Sequence, residues 1–199
     1  MPDPLPHRLV LASGSLGRRE LLRQAGWSFD IQPADIDEPT ETIQGDIRRY
    51  VQETAWRKAA AVATRIEGPA VVIAADTVAW LDGRLVLKPE DRADAERILR
   101  SLSGRVHELW TGVSVWRRPD DWQVCWQEIS RVAVKAFTDE ELNAYLDSNR
   151  WVGASGGYAI QQPIDPYLTV VEGSVSNVIG LPMESLERVL TLLRGMREP

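Results

Sequence analysis

The chain has 199 residues, 44% of them hydrophobic and 26% charged, a balance that supports a packed core and excludes a disordered polymer. Its formal net charge of −6 excludes broad, sequence-independent attachment to a nucleic-acid polymer, while leaving room for a local basic pocket. One cysteine, Cys125, excludes an internal disulfide and points to a reducing compartment; with no leader pattern in MPDPLPHRLV and no apolar run of membrane-spanning length, the expected location is cytoplasmic, with no membrane partner.

In chain order, Arg8 to Ala12 reads as a strand and Arg18 to Ala25 as a short helix closed by Gly26. Trp27 to Gln32 alternates like a second strand. From Asp46 to about Arg65 the residues Ile47, Val51, Thr54, Ala55, Ala59 and Val62 fall on one helical face. Ala70 to Ala74 is a continuous apolar run, expected for a strand buried on both faces. Val78–Leu81 and Arg84–Leu87 flank Asp82-Gly83, a tight-hairpin signal.

Asp91 to Leu102 reads as a helix ended by Gly104, and Val106–Trp116 and Trp122–Val134 as two long strands. Thr138 and Glu141 form a capping box ahead of Leu142, Tyr145 and Leu146. Gly153 to Gly157 is a loop, followed by short strands near Tyr158–Gln161 and Tyr167–Val171. Leu186, Val189, Leu190 and Leu193 give a last helix its apolar stripe. Without strict strand–helix alternation, the fold class is α/β with a partly antiparallel sheet, one domain over residues 1–199.

Four places bear residues suited to chemistry. In LASGSLGRRELL, Ser13, Gly14, Ser15 and Gly17 stand between strand and helix, followed by Arg18 and Arg19. Small residues let backbone N–H groups approach a ligand, a helix N-terminus favours an anion, and guanidinium groups bind phosphate in bidentate fashion. The competing reading is a plain turn with two solvated arginines. Lys58 interrupts the apolar stripe of its helix, so it snorkels, pairs or faces a cleft. Asp76 ends the buried run, a position suited to metal ligation or base chemistry, or to a simple cap. ADIDEP brings Asp35, Asp37 and Glu38 into one loop. Basic groups for phosphates and isolated carboxylates for a divalent cation form a consistent set. Two histidines, His7 and His107, and one cysteine make a zinc site a poor fit.

LASGSLGRRELL, ADIDEP, ETAWRKAAAVA, VIAADTVAWLDGRLVLKP, DAERILRSLSGRVHELWTGVSV, GGYAIQ and EGSVSNVIGLP follow one another in that order. Together they resemble the Maf proteins, nucleoside triphosphate pyrophosphatases once named as inhibitors of septum formation. The resemblance runs from about Leu9 to Leu190. It implies a mixed-sheet fold like that of the inosine triphosphate pyrophosphatases, with two lobes around a central cleft. It implies hydrolysis of a nucleoside triphosphate to the monophosphate and pyrophosphate, dependent on a divalent cation, Mg²⁺ or Mn²⁺.

Residue by residue, the resemblance places Ser13, Ser15, Arg18 and Arg19 in the phosphate loop. It places Glu38 on the loop carboxylate and Lys58 and Lys88 on two catalytic lysines. Asp76 falls on the general base, with Glu38 and Asp76 as metal ligands, and Thr77 and Gln161 on substrate-binding positions. A homodimer is a further implication. Leu16 and Gly17 stand where the family has Pro-Arg, Leu87 where a glycine is usual, and Ala154 where a lysine is frequent. Gly17 in particular implies a more open, less selective base pocket. The substrate class spans dTTP, UTP and modified nucleotides such as 7-methyl-GTP. The alternative function is a nucleotide-binding regulator of cell division with little or no catalysis.

Overall fold

The computed structural model describes residues 5, 7–37, 46–158 and 165–196. Strand β1 (Arg8–Leu11) leads through helix α1 (Leu16–Gln24) to strand β2 (Asp30–Ile31), and helix α2 (Ile47–Ala63) precedes strand β3 (Ala70–Leu81). Both β2 and β3 run parallel to β1, which the intervening helices permit. Strand β4 (Arg84–Val86) folds back on β3. Asp82 and Gly83 both adopt positive φ, +50° and +78°, as the expected two-residue hairpin requires. Helix α3 (Arg92–Leu102) is followed by strands β5 (Val106–Arg118) and β6 (Trp122–Val134) and helix α4 (Asp139–Asp147). Strand β7 (Leu168–Glu172) and helices α5 (Val175–Ile179) and α6 (Met183–Gly195) complete the chain. The sheet order is β2-β1-β3-β5-β6-β7, with β4 paired to β3. The fold is therefore α/β with a mixed sheet.

Alternation along β3 explains the layers. Val71, Ile73 and Ala75 face one side and join Leu9, Leu11 and Leu22 with Leu186, Leu190 and Leu193 of α6. Ala70, Val72 and Ala74 face the other and join Val10 and Ala12 with Ala59, Val62 and Ala63 of α2. A third cluster packs Ile98, Leu99 and Leu102 of α3 with Leu142, Tyr145 and Leu146 of α4 against Leu109, Val132 and Val134.

Three expectations need correction. β3 is one strand of 12 residues, not two pieces broken after Ala74. Polar Asp76 and Thr77 interrupt its apolar pattern but not its ladder, because β5 pairs with β3 continuously from Ala70 to Trp80. The second strand shrinks from Trp27–Gln32 to Asp30–Ile31, since Trp27 instead turns inward to pack beside Leu22 and α6. Helix α5 has no counterpart among the expected elements, although Ser174 caps it by accepting from the Asn177 N–H. Of the strand expected near Tyr158–Gln161, Tyr158 is not in a strand and the rest lies outside the described residues.

Two features position the site. β1 covers the edge of β3 as far as Ile73, and β4 takes over that edge at Ala79. Among the described residues no strand pairs with the edge between them. Opposite Asp76, on the other side of β3, sits Gly112. A Cβ there would lie 2.0 Å from the Val51 carbonyl oxygen, so the missing side chain is what allows α2 to rest on the sheet.

Candidate active site

A cleft of about 780 Å³ opens at the gap in the β3 edge. Ser13, Ser15, Gly17 and Arg18 line it on one side, and Lys58, Asp76 and Thr77 line its floor. Lys88, Arg150, Ala154, Ser155 and Tyr158 line it from the α3–α4 side, and Asp35 reaches it from the loop after β2. In a chain of net charge −6, the lining carries, among the described residues, four cationic side chains, Arg18, Lys58, Lys88 and Arg150, against two carboxylates, Asp35 and Asp76. The cleft is thus locally cationic and suited to a polyanion.

The phosphate-loop side is held by one arginine. Helix α1 starts at Leu16, two residues earlier than expected, because Ser15 caps it, its Oγ accepting from the Arg18 N–H at 3.4 Å. That places Arg18 in the first turn. Its Nη1 donates to Ser13 Oγ at 3.0 Å, its Nη2 to Thr77 Oγ1 at 3.2 Å, and its Nε to the Gly180 carbonyl at 2.8 Å. One guanidinium therefore ties together the β1–α1 loop, β3 and the end of α5. Thr77 Oγ1 also lies 3.0 Å from Thr111 Oγ1 on β5.

On the opposite face of β3, Lys58 Nζ donates to Asp76 Oδ1 at 2.7 Å. The two side chains are 10% and 6% exposed, so Lys58 pairs at the cleft floor and does not snorkel to solvent. Asp76 Oδ2 is buried with no hydrogen-bond partner, an acceptor still to be satisfied. The loop bearing Asp35 is held to the end of α2 by Arg65, whose Nη2 donates to the Ala34 carbonyl at 2.9 Å.

The expected positions divide clearly. Ser13, Ser15, Arg18, Lys58, Asp76, Thr77 and Lys88 come together around one cleft. Glu38 and Gln161 lie outside the described residues. Arg19 is not among the cleft-lining residues, and its buried Nε has no acceptor; one step along α1 from Arg18, it is carried about 100° round the helix. Asp76 does not end its strand but sits in the middle of β3, exposed to ligand only because β1 stops short. Nor does Gly17 open the pocket. A Cβ on it would lie 2.8 Å from Ile179 Cγ2 and 3.3 Å from the Ile179 carbonyl oxygen. The absent side chain is replaced by α5, not by space. Sequence reasoning missed Arg150, Ser155 and Tyr158 as cleft residues and missed the Ile179–Gly180 end of α5. The Ser174-x-x-Asn177 cap before Val178 and Ile179 was the available signal.

A sequence model of one family, described as Maf-like protein, matches residues 8–193. The chain belongs to the Maf family. Among curated Maf relatives, a dTTP/UTP pyrophosphatase of Rhodopirellula baltica is 42% identical over 189 residues, covering 94% of this chain and 83% of the relative. A dTTP/UTP pyrophosphatase of Cereibacter sphaeroides is 43% identical over 184 residues, covering 92% of this chain and 93% of the relative. Among solved structures, the Staphylococcus aureus Ham1 protein superposes with a TM-score of 0.45 at 16% identity, over 64% of this chain and 71% of that one.

Among the described residues no group of three or more His, Cys, Asp or Glu side chains forms a metal cage. What the Maf cleft offers a divalent cation is the partnerless Oδ2 of Asp76 and the carboxylate of Asp35 on the lining. That donor set suits Mg²⁺, which binds through one or two carboxylates and completes its shell with water and substrate phosphate. Among the described residues no helix is long and apolar enough to cross a membrane.

Proposed function

We propose that this chain is a nucleoside triphosphate pyrophosphatase acting on dTTP and UTP. The observation that carries the reading is the Lys58–Asp76 pair on the floor of a cationic cleft, facing an arginine-knit serine loop. The relatives named dTTP/UTP pyrophosphatase support it and favour it over a catalytically silent regulator.

In this reading the triphosphate lies along the Ser13–Arg18 loop. Arg18 donates to phosphate oxygens, and its three protein partners fix it before substrate arrives. The Asp76 carboxylate takes up the proton of the water that attacks the α-phosphorus, and the α–β bridging oxygen leaves with pyrophosphate. Lys58 holds the Asp76 carboxylate in place through Oδ1 and adds positive charge as the anhydride breaks. Lys88, on the far wall, stabilises the departing pyrophosphate. Mg²⁺ or Mn²⁺ held at Asp76, with Glu38, would neutralise phosphate charge and lower the pKa of bound water. The reading takes with it a cytoplasmic enzyme, no nucleic-acid polymer as partner, and a homodimer.

The test is product analysis by ³¹P NMR with dTTP and UTP in Mg²⁺. The expected products are the monophosphate and pyrophosphate. A nucleoside diphosphate with orthophosphate, or no turnover of any common triphosphate, overturns the reading.

A further inference from the structure

The wall facing the serine loop is built from the turn that follows α4. Trp151 anchors it, its Nε1 donating to the Leu146 carbonyl at 3.0 Å. Two backbone bonds, Val152 N–H to the Asn149 carbonyl at 3.2 Å and Ala154 N–H to the Trp151 carbonyl at 3.1 Å, close the turn. Ser155 Oγ then accepts from the Ala79 N–H at 3.2 Å, three residues along β3 from Asp76. The turn therefore stands over the reacting end of the cleft.

Arg150 sits in this turn and lines the cleft. It is not a loose surface cation. Its Nη2 donates to Asp165 Oδ2 at 2.5 Å, its side chain is 24% exposed, and that of Asp165 is 4% exposed. The guanidinium carbon lies 5.1 Å from the centre of the Tyr145 ring. Asp165 is itself fixed by accepting from the Tyr167 N–H at 2.9 Å. A carboxylate behind it and a ring along it hold the guanidinium in one orientation. A planar cation fixed this way loses little side-chain entropy on meeting an anion. Arg150 also lines a cleft that Arg18, Lys58 and Lys88 line with it.

We propose that Arg150 binds the phosphate chain of the substrate from the wall opposite Arg18, as a substrate-positioning residue held by Asp165. The inference rests on the pyrophosphatase reading for its substrate class. Ala154, in the same hydrogen-bonded turn and on the same lining, marks a second place from which a cation could serve the same anion.

The experiment compares Arg150→Ala, Arg150→Lys and the double variant Arg150→Ala/Ala154→Lys in steady-state kinetics with dTTP and UTP. Titration calorimetry with the non-hydrolysable α,β-methylene UTP runs alongside. Arg150→Ala should raise KM by about 10–100-fold for both nucleotides, the worth of one charge-assisted contact, and more than it lowers kcat. Arg150→Lys should fall between, and Ala154→Lys should recover at least a third of the lost affinity. Unchanged KM and Kd in Arg150→Ala would overturn the inference and leave the pyrophosphatase reading standing. So would a loss confined to one nucleobase, or a lowered melting temperature with no affinity change. If the native chain turns over no triphosphate, calorimetry still decides Arg150, and the activity reading fails separately.

Discussion

Lys58 on α2 and Asp76 in the middle of β3 meet at 2.7 Å, both almost wholly buried, although 18 residues separate them in the chain. A buried ion pair is costly to break from one side, since the survivor keeps its desolvation cost without its partner, a loss of about 3–5 kcal/mol. Lys58→Met should therefore lower stability by that order. Asp76→Asn/Lys58→Met should recover part of it, because no charge is then stranded. Asp76→Asn alone should reduce kcat by roughly 10²–10⁴-fold, the usual worth of a general base. Urea unfolding of the three variants and rates for the first and last check both statements. Near-native turnover in Asp76→Asn would reduce Asp76 to a structural anchor.

Gly17 makes a second, counter-intuitive expectation. Placing arginine there would restore the residue that the resemblance puts at this position. The structure argues for damage instead, since any Cβ meets Ile179 at 2.8 Å. Relief takes a turn of the Ile179 side chain together with a small shift of α5, whose backbone oxygen at Ile179 would lie 3.3 Å from the new Cβ, and the Gly180 carbonyl that fixes Arg18 Nε moves with α5. Gly17→Ala and Gly17→Arg should both raise KM for dTTP and UTP, by at least about 10-fold if one charge-assisted hydrogen bond to Arg18 is lost. A shifted preference among nucleotides at native efficiency would mean that α5 yields freely.

Gly112 should tolerate no side chain. A methyl group 2.0 Å from the Val51 carbonyl oxygen cannot be absorbed by a rotamer change, because the obstacle is backbone. Gly112→Ala should cost about 3 kcal/mol and, by lifting α2, part Lys58 from Asp76 and depress activity beyond what instability explains. Melting temperature and residual rate at low temperature test this together; a variant with native rate and stability would show that α2 slides without penalty.

His107 gives the fold a pH signature. It lies within β5, buried, with Nε2 2.5 Å from the Tyr158 hydroxyl oxygen, and burial pushes its pKa down from 6.5 to about 4. The unfolded chain protonates His107 near 6.5 and the folded chain only near 4. Between those values the unfolded state binds the extra proton, so stability falls as pH drops through that window. The full loss is about 3 kcal/mol, because each tenfold difference in proton affinity between the two states is worth about 1.4 kcal/mol. His107→Gln, which keeps an acceptor for Tyr158, should flatten the difference between roughly pH 7 and pH 4.5 in urea unfolding. Parallel curves for the two proteins would rule out His107 as the source.

Much of this was legible in the sequence because it rests on local patterns. Apolar stripes marked α2, α3 and α6, Asp82-Gly83 marked its hairpin, and Thr138 with Glu141 marked the start of α4, whose reciprocal cap is present. Lys58 stood out as a charge where the stripe demanded an apolar residue. What escaped depends on distant chain. That β3 runs unbroken through Asp76 is decided by β5, and no local pattern shows it. That Gly17 is crowded rather than open is decided by Ile179, 162 residues away. Arg150 resembled any other surface arginine until the fold set Asp165 behind it.

The interrupted edge of β3 has a consequence for solution behaviour. An exposed strand edge is a template on which other chains extend a sheet, and aggregation begins at such places. Here the bare stretch lies between Ile73 and Ala79, where β1 ends and β4 begins. Both ends of this stretch are already occupied, by β1 and by β4. Loops carrying Asp35 and Ser155 flank it. The opening admits a small polyanion, while the flanking strands and loops crowd out a second sheet, so a strand edge that no described strand covers sits at the working surface without offering itself as a seed.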